Sequence, residues 1–288
     1  MKEKKNIHTV AVSALFIAAI FWASAYLFVK STLDTLSPYY LLCFRYCAAA
    51  IFMILISMPR WKYLTKDIFK SGIWMGVVLF VEFLTFTVGL KYTTASRSSF
   101  IVAGYIVILP LVYMLIRRKI PKKQEIAAAL ICMAGIAFIL TGGEGGLNKG
   151  DMLTLLCAVS YAFHIVLAGI YAKKHDGILL NMLQIGTTAV LATMTAFLTG
   201  PLPEHLNQQQ IGSILYLAIP STVIPYLLCL FGQKYVSTTT SGIILSFESV
   251  FATLLSILFL NDRISIQFAF GAVLVMASVF VSEWKYQK

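Results

Sequence analysis

Residues 238–260 read TTTSGIILSFESVFATLLSILFL, an apolar run with one acid, Glu248, near its middle. As a helix this run rises about 34 Å, close to the thickness of a bilayer's hydrocarbon core, which places Glu248 near the midplane. Insertion scales put the cost of a charged side chain there at about 2.5–3.5 kcal/mol, and it is tolerated where the side chain faces a bundle interior or a wet cavity. The stretch therefore predicts a membrane-spanning helix with a functional acid.

The rest of the chain fits that reading. It is 59% hydrophobic and 12% charged, against about 45–50% and about 25% in soluble domains. Apolar runs fall near 9–31, 37–58, 70–91, 95–117, 124–142, 151–172, 178–199, 210–233, 238–260 and 264–284, which predicts ten spans. Turn signals separate them: Ser37-Pro38, Pro59, Pro121, the Gly142–Gly146 run, Gly200-Pro201 and Pro203. The first run is too long for a signal-peptide core and lacks a small-residue cleavage site, so it is expected to be retained. The five cysteines, Cys43, Cys47, Cys132, Cys157 and Cys229, all lie in apolar runs without metal-ligand spacing. Neither a disulfide framework, a metal site nor a cofactor is expected.

The net charge of +11 follows membrane orientation. With the N-terminus inside, the outer segments hold only Lys91, Arg97, Lys149 and Arg263, Lys30 and Arg45 lie within spans, and the remaining Lys and Arg are inside. That bias predicts a multi-pass protein of the cytoplasmic membrane with both termini cytoplasmic, and it leaves no basic patch for a nucleic-acid partner.

The chain also repeats itself. Setting Thr93-Thr94-Ala95-Ser96 over Ser237-Thr238-Thr239-Thr240 brings Leu130 onto Leu274 and Lys119-Ile120 onto Arg263-Ile264. Each half has five spans, and an odd number inverts the second half relative to the first. The expected fold is all-α: residues 1–142 as a first five-helix repeat, 143–150 as a Gly-rich linker and 151–288 as a second repeat. The linker lacks the Gly-Lys-Ser/Thr ending of a phosphate loop. Inverted repeats suit alternating access around a midplane site.

Several residues stand out at depth. Glu82 is a second buried acid, on a small and polar face with Ser71, Val78, Thr85 and Gly89; it would line a cavity or pair with Arg45. Arg45, about 12 Å below the outer end of its span, suits an ion pair with Glu82 or Glu248, or a substrate carboxylate. His164, near Ser160 and Tyr161, could relay a proton or be a neutral core histidine. Trp22, Tyr26, Tyr105, Tyr161 and Tyr226 are aromatic residues at midplane depth, where Trp and Tyr are not favoured by the lipid itself; as a set they suggest the lining of a substrate cavity. Lys30 is expected to snorkel to the outer surface, and Arg97 to flank an outer turn or vestibule. Pro220 and Pro225 should loosen the eighth span, and Gly72 and Gly76 should mark close helix packing.

Taken in order, Trp22 in the first span, Arg45 in the second, the small-residue entries to spans four and nine, Glu248, and Asp262-Arg263-Ile264 followed by Gly271-Ala272-Val273-Leu274 resemble the EamA-type branch of the drug/metabolite transporter superfamily over essentially the whole chain. Two departures are visible: Trp22-Ala23 where that family usually has Trp-Gly, and Glu248-Ser249 where it often has Glu-Pro, which removes the proline that would break span nine locally. The resemblance implies secondary transport, commonly export, of small metabolites or toxic organic compounds. The acids suit a cationic or zwitterionic solute, or uptake of a coupling proton. Alternatives are an uncoupled facilitator of zwitterionic metabolites such as amino acids and, from another class, an intramembrane enzyme, for which no HExxH, paired aspartate or Gly-x-Ser-x-Gly motif is present.

Overall fold

The computed structural model describes residues 2–117, 123–141 and 147–283. Among them every regular element is helical: α1 (Lys2–Thr32), α2 (Pro38–Ser57) with a 3₁₀ extension (Met58–Tyr63), α3 (Lys66–Tyr92), α4 (Ala95–Ala103), α5 (Tyr105–Arg117), α6 (Lys123–Thr141), α7 (Lys149–Tyr171), α8 (Gly177–Thr199), α9 (Gln208–Ala218), a π-helical turn (Ile219–Val223), α10 (Ile224–Tyr235), α11 (Thr238–Leu260) and α12 (Ile266–Glu283). Since α4–α5 and α9–α10 each form one continuous rod, the helices fall on the ten expected runs. Eight rods are long and apolar enough to cross a membrane, and α6 and α12 contribute the shorter apolar stretches Ile126–Thr141 and Ile266–Ser278. Residues 143–146 of the expected linker, Gly142 before it, residues 118–122 with Arg118, Lys119 and Lys122, and the C-terminal Lys285 and Lys288 lie outside the described residues.

Local chemistry sets the boundaries. Thr65, Thr94, Asp176 and Ser237 accept from backbone N–H groups at the starts of α3, α4, α8 and α11. Asn148 with Asp151 and Asn207 with Gln210 form reciprocal caps on α7 and α9, satisfying donors that a helix start leaves open. α11 ends at Asn261 in the left-handed region, φ 56°, which asparagine tolerates better than most residues. It runs unbroken past Ser249, in keeping with the missing proline.

The eighth rod is where the proline signal is realised. Pro220 and Pro225 lack the N–H that an α-helix needs, and the backbone between them winds as a π turn. The Thr222 hydroxyl donates to the Leu217 carbonyl five residues back, at 2.7 Å.

Packing turns the usual soluble arrangement inside out. Ile51, Leu55, Trp74, Leu198, Leu258 and Val273 are exposed on the outside, while Arg45, Glu82, His164, Asn181 and Gln184 are buried within. α3 packs on α7 and α8, α2 on α8, α1 on α10 and α11, and α6 on α12. The Gly72–Gly76 step is such a contact: a Cβ on Gly72 would lie 2.3 Å from Leu183 Cβ, and one on Gly76 2.5 Å from Thr187 Cβ. Gly135 and Gly271 bring α6 and α12 together backbone to backbone in the same way.

Polar locks close both ends of the bundle. At the end bearing the N-terminus, Arg60 pairs with Asp176 and His175 lies 3.4 Å from Asp67. At the opposite end Arg97 pairs with Asp151 at 2.8 Å, Thr93 donates to the same carboxylate at 2.9 Å, and Ser96 donates from N–H and hydroxyl to Asp262 at 3.1 and 2.6 Å. Lys30 does not reach freely outward as its place near a helix end suggests. Its ammonium donates to the carbonyls of Leu90 and Thr93, at 2.9 and 2.8 Å, where the C-terminus of α3 offers unsatisfied acceptors and negative dipole.

Candidate functional site

Midway between these locks the helices enclose a cavity of about 30 Å³, lined by Trp22, Ala25, Tyr26, Arg45, Glu82, Phe83, Phe86, Val102, Cys157, Tyr161 and Glu248. Six of the nine residues expected to form a site from sequence therefore meet here: Trp22, Tyr26, Arg45, Glu82, Tyr161 and Glu248. A second cavity of about 10 Å³, toward the N-terminal end, is bordered by His164, Gln184, Tyr226 and Gln233 together with Trp22 and Tyr161, which belong to both. Trp22 and Tyr161 thus form the partition between the two spaces, meeting edge to face at 6.0 Å between ring centres. Tyr226 supports Trp22 from below at 5.2 Å. Tyr105 lines neither space: its hydroxyl donates to the Gly242 carbonyl at 2.6 Å and its ring backs Tyr161 at 4.4 Å, so it ties α5 to α11 and stiffens the wall.

Each acid has its own setting. The Glu248 carboxyl on α11 faces the same central cavity as Tyr26 on α1. Glu82 on α3 is 5% exposed, and its Oε2 has no hydrogen-bond partner. The nearest basic nitrogen is His164 Nδ1, 3.8 Å away across the partition. His164 Nε2 in turn meets Gln184 Oε1 at 2.8 Å, and Gln184 Nε2 donates to Asn181 Oδ1 at 2.5 Å.

Arg45 departs from the ion-pair expectation. Among the described residues neither carboxylate comes within 4.0 Å of its guanidinium. Instead Nε donates to the Thr222 hydroxyl at 2.8 Å and Nη2 to the Ser221 carbonyl at 3.0 Å. The guanidinium lies 4.6 Å from the centre of the Phe83 ring, a cation–π placement. The physical reason is the π turn. It displaces carbonyls from the helical ladder, and these acceptors lie directly beside the five-donor fork, whereas the carboxylates lie farther across the cavity.

Around the two cavities several buried polar atoms lack a partner: Trp22 Nε1, Arg45 Nη1, Glu82 Oε2, Tyr161 and Tyr226 hydroxyls, and Gln233 Oε1. Native interiors leave few such groups, and a cluster of them around one space offers donors and acceptors to a polar solute. No group of three or more His, Cys, Asp or Glu with metal-holding geometry occurs among the described residues.

Comparison with known proteins gives this geometry a family. The model of the EamA-like transporter family matches residues 9–141 and again residues 148–284. The chain belongs to the EamA-like transporter family. An uncharacterized transporter of Archaeoglobus fulgidus is 29% identical over 267 residues, covering 93% of this chain and 83% of that protein. Protein PecM of Dickeya dadantii is 23% identical over 274 residues, covering 92% and 90%, and the uncharacterized transporter YoaV of Bacillus subtilis is 21% identical over 253 residues, covering 84% and 85%. A solved crystal structure with 18% identity superposes with a TM-score of 0.74 over 96% of this chain and 97% of that one, a likeness of fold. The chain is thus a multi-pass membrane transporter of the EamA-like family, as the order of its motifs implied, with a small-molecule substrate and the lipid bilayer as its partners.

Some lining residues of this EamA-like chain escaped the sequence. Phe83, Phe86 and Val102 look like any apolar residue of a span, and only packing turns them inward. Gln184 and Asn181 carried a usable signal: two amides one turn apart within a span.

Proposed function

We propose that the chain is a secondary transporter that moves small organic metabolites or amphipathic, cationic compounds across the cytoplasmic membrane by alternating access, in the export direction and in exchange for protons, with no enzymatic activity. The carrying observation is the cluster of unpartnered polar atoms around the central cavity, framed by aromatic faces and bearing two acids that Arg45 does not pair with. Aromatic faces attract organic cations, and an acid in a water-poor space favours them further.

The two-repeat organisation supports alternating access. The family model matches the chain twice, and the packing is reciprocal: α3 lies on α7 as α10 lies on α1, while α2 meets α8, α4 meets α11 and α6 meets α12. On this reading residues 1–142 and 151–288 are inverted five-helix units joined by residues 143–150, and both termini are cytoplasmic by the Lys and Arg bias. The substrate site lies at the interface of the units, with Trp22, Tyr26 and Glu82 from the first unit and Tyr161 and Glu248 from the second; Tyr105, His164 and Tyr226 act behind them.

Purified protein in liposomes tests this. Cationic amphiphiles that raise its melting temperature in detergent should exchange saturably across the liposome membrane, with movement of protons in the opposite sense. Compounds that bind but show no saturable exchange would overturn the carrier assignment. Saturable flux of zwitterions without proton movement would favour the uncoupled facilitator.

A further inference from the structure

We infer that Glu82 and His164 together carry one exchangeable proton, and that Gln184 and Asn181 are the switch that lets them load and unload it, leaving Glu248 to the solute. The inference rests on the carrier reading above and assigns its proton site.

The argument starts at the far end of the network. Gln184 Nε2 donates to Asn181 Oδ1 at 2.5 Å, which turns Gln184 Oε1 toward His164 Nε2 at 2.8 Å. An amide oxygen only accepts, so His164 Nε2 carries its hydrogen and donates. In a neutral imidazole, Nδ1 then presents a lone pair, and it faces Glu82 Oε2 at 3.8 Å. An ionised carboxylate opposite a bare ring nitrogen is repulsive, and Glu82 Oε2 has no other partner. One proton from solution converts the contact into an attraction, either as carboxyl O–H to nitrogen or as imidazolium N–H to carboxylate. The two forms have the same composition, so the proton belongs to the pair.

Loss of that proton has an equally satisfied arrangement. Asn181 Nδ2 is buried without a hydrogen-bond partner. If both amides turn over by 180°, Asn181 Nδ2 donates to Gln184 Oε1, Gln184 Nε2 donates to His164 Nε2, and His164 Nδ1–H donates to ionised Glu82. The number of hydrogen bonds is conserved, and the single unused amide atom becomes Asn181 Oδ1. Amide orientation at such a site is decided by the network itself, so the two states differ by one proton and two amide rotations.

Position suits the task. Glu82 borders the central cavity, whereas His164 and Gln184 border the lower one, so the pair passes through the Trp22–Tyr161 partition. Gln184 and Asn181 continue toward the start of α8, the side read as cytoplasmic. The charged groups nearest Glu82 are Arg45 on α2 and Glu248 on α11. The other titratable neighbours are the phenols Tyr46, Tyr105, Tyr161 and Tyr226 and the thiols Cys157 and Cys229, whose ordinary pKa values of about 10 and about 8.5 leave them neutral at physiological pH. α8 contributes the two amides and the Thr188 hydroxyl, none of which titrates in this range.

Isotope-edited infrared titration of the detergent-purified protein, with ¹³C-carboxyl glutamate and ¹⁵N-histidine, tests the pair without any solute and so independently of the carrier reading. One glutamate carboxyl band and one imidazole band should titrate together as a single-proton step. Glu82→Gln and His164→Gln should each abolish the joint step, leaving the remaining group to titrate alone at a displaced pH, and Glu248→Gln should retain the joint step. Gln184→Leu keeps both titrating groups and should displace the step. Should the Glu82 or His164 variants fail to fold, the wild-type co-titration and Gln184→Leu decide the matter alone. Carboxyl and imidazole bands that titrate separately, or a carboxyl step that His164→Gln leaves at the wild-type pH, would overturn the inference.

Discussion

Arg45 on α2 donates from Nε to the Thr222 hydroxyl at 2.8 Å, so a fully buried arginine serves the π turn of the eighth rod. Its own Nη2 reaches the adjacent Ser221 carbonyl at 3.0 Å. The arginine and the two prolines are two halves of one device: the prolines open the backbone and the guanidinium fills the opening.

Removing that guanidinium should therefore cost stability. Arg45→Leu leaves the Ser221 carbonyl and the Thr222 hydroxyl short of a donor, and hydrogen bonds to charged groups contribute about 1.5–3 kcal/mol each. A clearly lower melting temperature in detergent is expected, with Thr222→Val causing a smaller loss. Unchanged melting of Arg45→Leu would show that the turn stands without it.

The place of Glu248 in the wall of the central cavity makes a prediction about selectivity. Glu248→Gln removes the negative charge and keeps the shape, so cationic ligands should bind at least about ten-fold more weakly, equivalent to about 1.4 kcal/mol, while uncharged ligands of similar size change little. Competition binding with matched pairs of compounds reads the difference. Equal losses for both classes would remove charge recognition from Glu248.

Close packing of α3 on α8 predicts a contrast between two glycines. Gly72→Ala sets a methyl 2.3 Å from Leu183 Cβ, and overpacking of this kind costs about 1–3 kcal/mol. Gly186 on α8 meets nothing within 4 Å, so Gly186→Ala should be neutral or stabilising by up to about 1 kcal/mol. Thermal denaturation of the two variants side by side checks both signs.

The lock between Ser96 and Asp262 should govern access from the end opposite the N-terminus. Asp262→Ala removes the acceptor for two Ser96 donors and loosens the start of α4 against the end of α11, where the Ser96–Ser256 hydroxyl contact remains. In a cysteine-free background, Thr253→Cys, beside Ser99 at 3.4 Å, should react several-fold faster with an impermeant maleimide once Asp262 is replaced. An unaltered rate would place the barrier elsewhere.

Much of this was legible in the chain. Hydrophobic runs gave every rod, because a span must satisfy its own backbone and so declares itself by length and apolarity. Glu82 and Glu248 could be singled out because acids are costly at depth. The partner of Arg45 could not, since opposite charge is the obvious expectation and the competing acceptors exist only after Pro220 and Pro225 have distorted the backbone. The role of Tyr105 was hidden for a related reason: a tyrosine at midplane depth can face a cavity or bond across a helix contact, and only the position of the Gly242 carbonyl decides.

The size of the central cavity has a consequence for measurement. At about 30 Å³ it is smaller by roughly ten-fold or more than the 300–1,000 Å³ that small-molecule sites occupy. Binding at the central cavity therefore requires it to widen, and an observed dissociation constant there is the intrinsic one divided by the fraction of molecules that have opened. A substitution at a distant lock would then register as a gain in affinity without touching the ligand, and rank orders of compounds, rather than absolute constants, are what report on the lining.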